Sequence, residues 1–246
     1  MFYDGSAYDG GADGAADDAA VAPDKRALPA DETQSESFDN VTSYSKGLNG
    51  IMVDVRGLPA ASNVSAADFD YRAWRGTSYQ DVEEILNIVR PRVAVRRGAG
   101  ACESDRVTLY FPGVNVGPFG TLRPLTNAWL LVTFKAIPNT GLTRPDAFYF
   151  GNLPGETGDG ETPLGVGVPD RARTLGAASG TAPITSRFDH NRDGRVNALD
   201  IAAVRLNDSR ALYSHRPPAA SAGAGVTRPG DGITTQVLTA PPVANG

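Results

Sequence analysis

From Phe38 to Phe150 apolar residues fall in short runs between turn formers, the pattern of an all-β domain made of many short strands. The best strand candidates are Gly50 to Val55, Arg92 to Arg97, Arg106 to Phe111, Ala128 to Ala136 and Ala147 to Gly151. The run Ala128-Trp129-Leu130-Leu131-Val132-Thr133-Phe134 is apolar on both faces at its start, which predicts a central strand. Pro59, Gly98-Ala99-Gly100, Pro112-Gly113 and Pro138-Asn139-Thr140-Gly141 supply turns between these runs.

Two stretches break the period-2 pattern. Ser65-Ala66-Ala67-Asp68 has the form of a capping box and predicts one helical turn. Tyr79 to Val89 places Val82, Ile85, Leu86 and Val89 at helical spacing, although a strand-to-strand insertion fits equally. The arginines at 90, 92, 96 and 97 form a basic patch. A solvated strand face is the favoured reading over an anion site, because a strand sends Arg96 and Arg97 to opposite sides.

The ends of the chain differ from its middle. Residues 1–36 carry nine Asp or Glu against Lys25 and Arg26, with little to bury, and predict an acidic flexible lead. Residues 214–246, rich in Pro, Gly and Ala, predict a flexible tail in which Ile233 to Leu238 can add one edge strand. The formal charge over all 246 residues is only −5, so no nucleic-acid footprint is implied. Cys102 stands alone, which excludes a disulfide framework within the chain. No apolar stretch is long enough to span a bilayer, and the first residues lack the regions of a signal peptide.

Candidate chemistry is concentrated between Asp189 and Asp200, D-H-N-R-D-G-R-V-N-A-L-D. Asp189, Asn191, Asp193, Asn197 and Asp200 put oxygens at positions 1, 3, 5, 9 and 12 of a twelve-residue calcium loop, and Gly194 at position 6 supplies its sharp turn. Arg195, at position 7, would ligate through its backbone carbonyl and leave its charge in water. The hard oxygen set predicts Ca²⁺ rather than Mg²⁺, which wants a smaller octahedral shell. The alternative is an Asx-rich surface turn that binds nothing.

Position 12 is Asp where the EF-hand uses Glu. With that difference, residues 189–208, D-H-N-R-D-G-R-V-N-A-L-D-I-A-A-V-R-L-N-D, resemble a dockerin type I repeat, a loop leading into one short helix. Val196 then pins the loop to a partner loop, while Ile201 and Val204 face a small core. The resemblance implies a second loop, and a shift back by thirty residues sets Asp159, Glu161, Val166 and Asp170 over Asp189, Asn191, Val196 and Asp200. That copy is degenerate, since Pro163 falls on Asp193, and Glu156 or Asn152 would have to contribute oxygens.

The wider chain resembles a recurrent module of large secreted bacterial proteins, carried by residues 44–54, 106–108, 129–133, 139–142 and 148–152 and by the lead around Phe2 to Gly10 and Ala16 to Ala19. The resemblance implies a mainly β fold, an antiparallel β-sandwich over residues 37–149 followed by a small α/loop dockerin-like segment over 150–213. It also implies an extracellular or cell-surface setting, as the C-terminal part of a longer polypeptide that is monomeric or one module of many.

Three function classes follow. The first is a non-catalytic module in which Ca²⁺ is structural, offsetting repulsion among Asp189, Asp193 and Asp200 and serving anchoring or protein–protein interaction. The second is docking onto a cohesin-like protein or cell-surface component in a polysaccharide-degrading system, through exposed helix residues such as Arg205, Asn207, Arg171 and Arg173. The third, an enzyme, is disfavoured: Glu83-Glu84 are adjacent rather than facing, and no triad, zinc or phosphate-loop signature occurs. His190 lies at a non-ligand loop position, and His215 precedes Pro217-Pro218 in the tail.

Overall fold

The computed structural model describes residues 1–11, 13–30, 35–60, 63–76, 83–117, 120–160, 163–213 and 235–237. In chain order the described strands are β1 (Leu28–Pro29), β2 (Val41–Thr42), β3 (Gly50–Val55), β4 (Phe69–Arg75), β5 (Glu83–Glu84), β6 (Arg92–Arg96), β7 (Asp105–Tyr110), β8 (Val114–Asn115), β9 (Leu122–Arg123), β10 (Ala128–Phe134) and β11 (Asp146–Asn152). There follow β12 (Leu164–Gly165), helix α1 (Val168–Gly176), helix α2 (Ala198–Leu206), β13 (Ala211–Leu212) and β14 (Thr235–Val237).

The protein is mainly β, and its two larger sheets run β1-β11-β10-β4-β5 and β14-β3-β7-β6. Pairing is antiparallel except for β2, which lies parallel to β11. One core joins the sheets: Ile51, Val53, Val107 and Leu109 from one meet Phe69, Leu130, Val132, Phe134, Phe148 and Phe150 from the other. Phe69 and Phe134, opposite each other in register, stack with ring centroids 4.3 Å apart. As the apolar start of its sequence predicts, β10 is central, bonded on both sides by β11 and β4. No helix among the described residues is long and apolar enough to cross a membrane.

Each strand expected from alternation is present to within two residues at its ends, and β14 supplies the expected edge strand on β3. The long strand β4 escapes that reading because its Asp70, Arg72 and Arg75 interrupt the apolar run. Ser65 caps its turn as expected, taking Asp68 Oδ2 at its backbone N–H at 2.7 Å, and a 3-10 turn covers Ala66–Asp68. The helical reading of Tyr79 to Val89 is corrected over its described part. Glu83–Glu84 pair with β4, and Leu86 is 83% exposed, so no apolar helix face forms there; residues 77–82 lie outside the described residues.

The lead departs most from expectation. Met1, Phe2, Tyr3, Ala20, Ala22 and Leu28 are all buried, so both ends of the lead enter the core. Charge complementarity holds the remainder. Asp18 pairs with Arg96 and with Arg106 at 2.8 Å, Asp13 pairs with Arg92, and Asp17 accepts the Tyr110 hydroxyl. Arg106 is also bidentate to the buried Asp54, at 2.8 and 3.0 Å. Arg90, Arg92 and Arg97 of the arginine patch are exposed, as a solvated strand face requires; Arg92 and Arg96 take carboxylates from the chain's own lead, and Arg97, on the other side, pairs with Asp105 at 2.9 Å.

The helical segment is likewise no separate body. Val204 of α2 is 1% exposed and shares a cluster with Leu28, Val41, Trp74, Trp129, Tyr149, Leu153, Val166 and Leu212. The core that sequence spacing assigned to Val204 is the outer face of the β1-β11-β10-β4-β5 sheet, while Ile201 is only partly buried. The flexible tail expected over 214–246 lies outside the described residues apart from β14, as does His215.

Candidate metal centre

The loop from Asp189 to Asp200 is closed by its own carboxylates. Asp200, in the first turn of α2, accepts the backbone N–H groups of His190 (2.7 Å) and Asn191 (3.2 Å) on Oδ1 and that of Asn197 (2.8 Å) on Oδ2. Asp189 accepts from Asp193 (3.2 Å) and Gly194 (3.0 Å). Burial raises the Asp189 pKa. The Asn191 and Asn197 amides both reach Asp193 Oδ2, at 3.0 and 3.4 Å, so positions 3, 5 and 9 converge. Gly194 turns the chain at φ 81°, as the loop pattern requires. Arg195 is exposed and its N–H meets Asp193 Oδ1 at 3.0 Å, which leaves its guanidinium in water.

A matching arrangement precedes α1. Thr157 donates from N and Oγ1 to Asp170 Oδ1 at 2.9 and 2.7 Å, and Gly167 N donates to Asp170 Oδ2 at 2.8 Å. These bonds repeat those of His190 and Asn197 to Asp200, so Glu156 stands where Asp189 stands. The thirty-residue shift put Asp159 there and is corrected. Glu156 to Asp170 is 14 steps along the chain against 11 from Asp189 to Asp200, so the first loop is three residues longer. Glu161 lies outside the described residues.

Glu156, Asp159 and Asp170 have carboxylate oxygens within 4.8 Å of one another, and Glu156 and Asp170 are fully buried. Glu156 Oε1 takes the Gly158 N–H at 2.6 Å, whereas its buried Oε2 has no hydrogen-bond partner. Desolvation, with Asp170 nearby, pushes the Glu156 pKa up to about 7. A buried carboxylate with an orphan oxygen beside two more carboxylates is an arrangement that a bound cation would satisfy. The all-oxygen donor set suits a hard one. Asn152 donates its amide N–H groups to the carbonyls of Thr42 (3.1 Å) and Tyr44 (2.9 Å), and its buried Oδ1 has no hydrogen-bond partner. Sequence reasoning passed over Glu156 as the loop's first residue because an insertion displaced it; the run Glu156-Thr157-Gly158-Asp159 was the available signal.

Each loop is tied to the segment after the other helix. Val196 and Ser179 exchange two backbone bonds of 2.9 Å. Val166 donates to Arg210 O at 2.8 Å and accepts from Ser209 N at 2.9 Å, and β12 continues this pairing with β13. Thr174 Oγ1 of α1 lies 3.3 Å from Nε2 of the fully buried His190, whose pKa burial lowers to about 3. Gly155 (φ 96°) lets the first loop approach α2, where a Cβ would come within 2.9 Å of Val204 Cα.

In a third acidic group, Asp4, Asp13 and Asp17, Arg92 pairs with Asp13, and Asp17 accepts from Tyr110 and the Gly14 N–H. Cys102 is exposed at φ 52° in a turn. Comparison with protein-family models, with curated proteins and with solved structures returns no match.

Proposed function

We propose that the chain is a non-catalytic, extracellular calcium-binding module in which a β-sandwich carries a dockerin-like pair of loops and Ca²⁺ is structural. The observation that carries this reading is the repeat of one carboxylate-closed loop before each of two short helices, each loop bonded through Val166 or Val196 to the segment after the other helix. The second loop would hold the ion through Asp189, Asn191, Asp193, Asn197, Asp200 and the Arg195 carbonyl, and the first through Glu156, Asp159 and Asp170. Extracellular calcium modules work with dissociation constants of about 10⁻⁴ to 10⁻³ M, which fits loops built partly from neutral Asn oxygens.

In this reading the ion cancels repulsion among buried carboxylates, and the two loops fix α1 and α2 against the sheet. Isothermal titration of the chelator-treated chain with CaCl₂ should reveal two ions, and hydrogen exchange over residues 150–212 should quicken in EGTA. Unchanged exchange there would sink the structural-calcium reading.

A second reading is favoured by one feature, the exposure of Val168 (64%), Leu175 (61%), Leu199 (61%) and Leu206 (81%) on the two helices, with Arg173 and Arg205 exposed among them. Such a face suits docking onto a cohesin-like partner, with any polysaccharide-degrading activity on another domain. Calcium-dependent capture of a purified cohesin would support it, and equal capture in EGTA would exclude a loop-dependent contact.

A further inference from the structure

The second loop is held from the opposite end of the chain. Tyr8 Oη lies 2.7 Å from Ala182 O and 3.2 Å from Asp189 Oδ2, the same oxygen that accepts the Gly194 N–H. One residue earlier, Ala7 N donates to Arg192 O at 2.9 Å. Arg192 has a left-handed backbone (φ 56°) and is 1% exposed. Its guanidinium lies 4.4 Å from the Tyr3 ring centroid and donates to Tyr3 Oη at 3.1 Å. Residues 3–8 thus cover the loop at positions 1 and 4, and the far end of the lead is clamped to β6 and β7 by Asp13, Asp17 and Asp18.

We propose that Tyr8 is a positioning residue for the cation site of the second loop, and that the lead is a strap whose closure over that loop is coupled to cation binding. The proposal rests on the calcium reading of the loop. The Gly194 amide donates to Asp189 Oδ2, and the Tyr8 phenol shares its one proton between Ala182 O at 2.7 Å and this oxygen at 3.2 Å; together they fix the carboxylate so that its other oxygen can face the ion. The Ala7 and Tyr3 contacts hold Arg192 in a backbone conformation that a non-glycine residue resists. Linkage is reciprocal: if strap closure tightens the cation site, the cation tightens the strap by the same factor.

The experiment uses the full chain, wild type and Tyr8→Phe, each stripped with chelator and titrated with CaCl₂, with hydrogen exchange of residues 3–9 followed in calcium and in EGTA. The expected result is an affinity roughly 10-fold weaker at one of two sites in Tyr8→Phe, near the lower end of what loss of a supporting hydrogen bond costs. In EGTA the variant should melt only a few degrees lower, since it gives up the bond to Ala182 O and keeps Ala7, Tyr3 and the core in place. Calcium should slow exchange of residues 3–9 in the wild type and do so less in the variant. Equal calcium affinities, or exchange of the lead that ignores calcium while the wild type binds it, would overturn the strap and leave the calcium loop standing. A wild type that takes up no calcium would overturn both.

Discussion

Substituting Glu156 by Gln should stabilise the protein without calcium and weaken it with calcium. The Glu156 side chain is fully buried, its Oε2 has no hydrogen-bond partner, and Asp159 and Asp170 crowd it. Its pKa of about 7, against 4.5 for a free Glu, means that folded protein without metal holds this proton to higher pH than unfolded chain does. Between those values the folded state binds more protons, so stability falls as pH rises and the loss is complete above about pH 7. At pH 8 the penalty is on the order of 3 kcal/mol, which Gln, neutral and of the same shape, does not incur. For a chain of this size such a gain raises the melting temperature in EGTA by roughly 6–12 °C. With millimolar CaCl₂ the order should reverse, because Gln supplies a weaker ligand and the variant should bind one ion rather than two. Thermal unfolding by circular dichroism at pH 8, with EGTA and with calcium, reads both arms. A variant less stable than wild type in EGTA would refute the account of Glu156 as an unpaired buried carboxylate. Two ions still bound would refute its role as a ligand.

Two further substitutions test the packing. Lys25 is 1% exposed, with Nζ 3.6 Å from the Phe38 ring centroid, 3.0 Å from Phe38 O and 3.3 Å from Asp24, and burial lowers its pKa to about 8. The unfolded chain therefore binds more protons between about pH 8 and 10.5, and this group makes stability rise with pH across that window by up to about 3 kcal/mol. In Lys25→Met that rise should vanish. Urea unfolding of both proteins from pH 7.5 to 9.5 checks it, and parallel curves would contradict a buried ammonium. Val204→Ala should cost about 1–3 kcal/mol by opening space against Trp129, Leu153 and Val166. Its tryptophan fluorescence and helical circular dichroism should fall in one shared transition, whereas two separate transitions would show that the helices do not share the sheet's core.

Local chemistry made part of this protein legible in advance. Alternation located β3, β6, β7, β10 and β11 because each buries one or both faces and so repeats apolar residues at the period of a strand. The proposed ligands of the second loop could be read because they fall within twelve residues at fixed spacing and Gly194 marks the turn. In the first loop an insertion shifts Glu156 away from its counterpart, and no fixed spacing reveals it. Tyr8 was invisible for a different reason, since it reaches Asp189 across 181 residues of sequence.

By itself the sequence determined the strands with clear alternation and the oxygen-rich second loop with the short helix after it, since each depends on neighbours within about a dozen residues. The tertiary structure alone decided which charges meet. The acidic lead reads as flexible from its composition, yet Asp17 and Asp18 pair with Tyr110, Arg96 and Arg106, and Met1, Phe2 and Tyr3 enter the core. It likewise decided that α2 packs on the sheet through Val204 rather than forming its own small core. Both outcomes rest on complementary surfaces far apart in the chain. Burial and ion pairing depend on what faces a residue in space, and local periodicity carries no record of that.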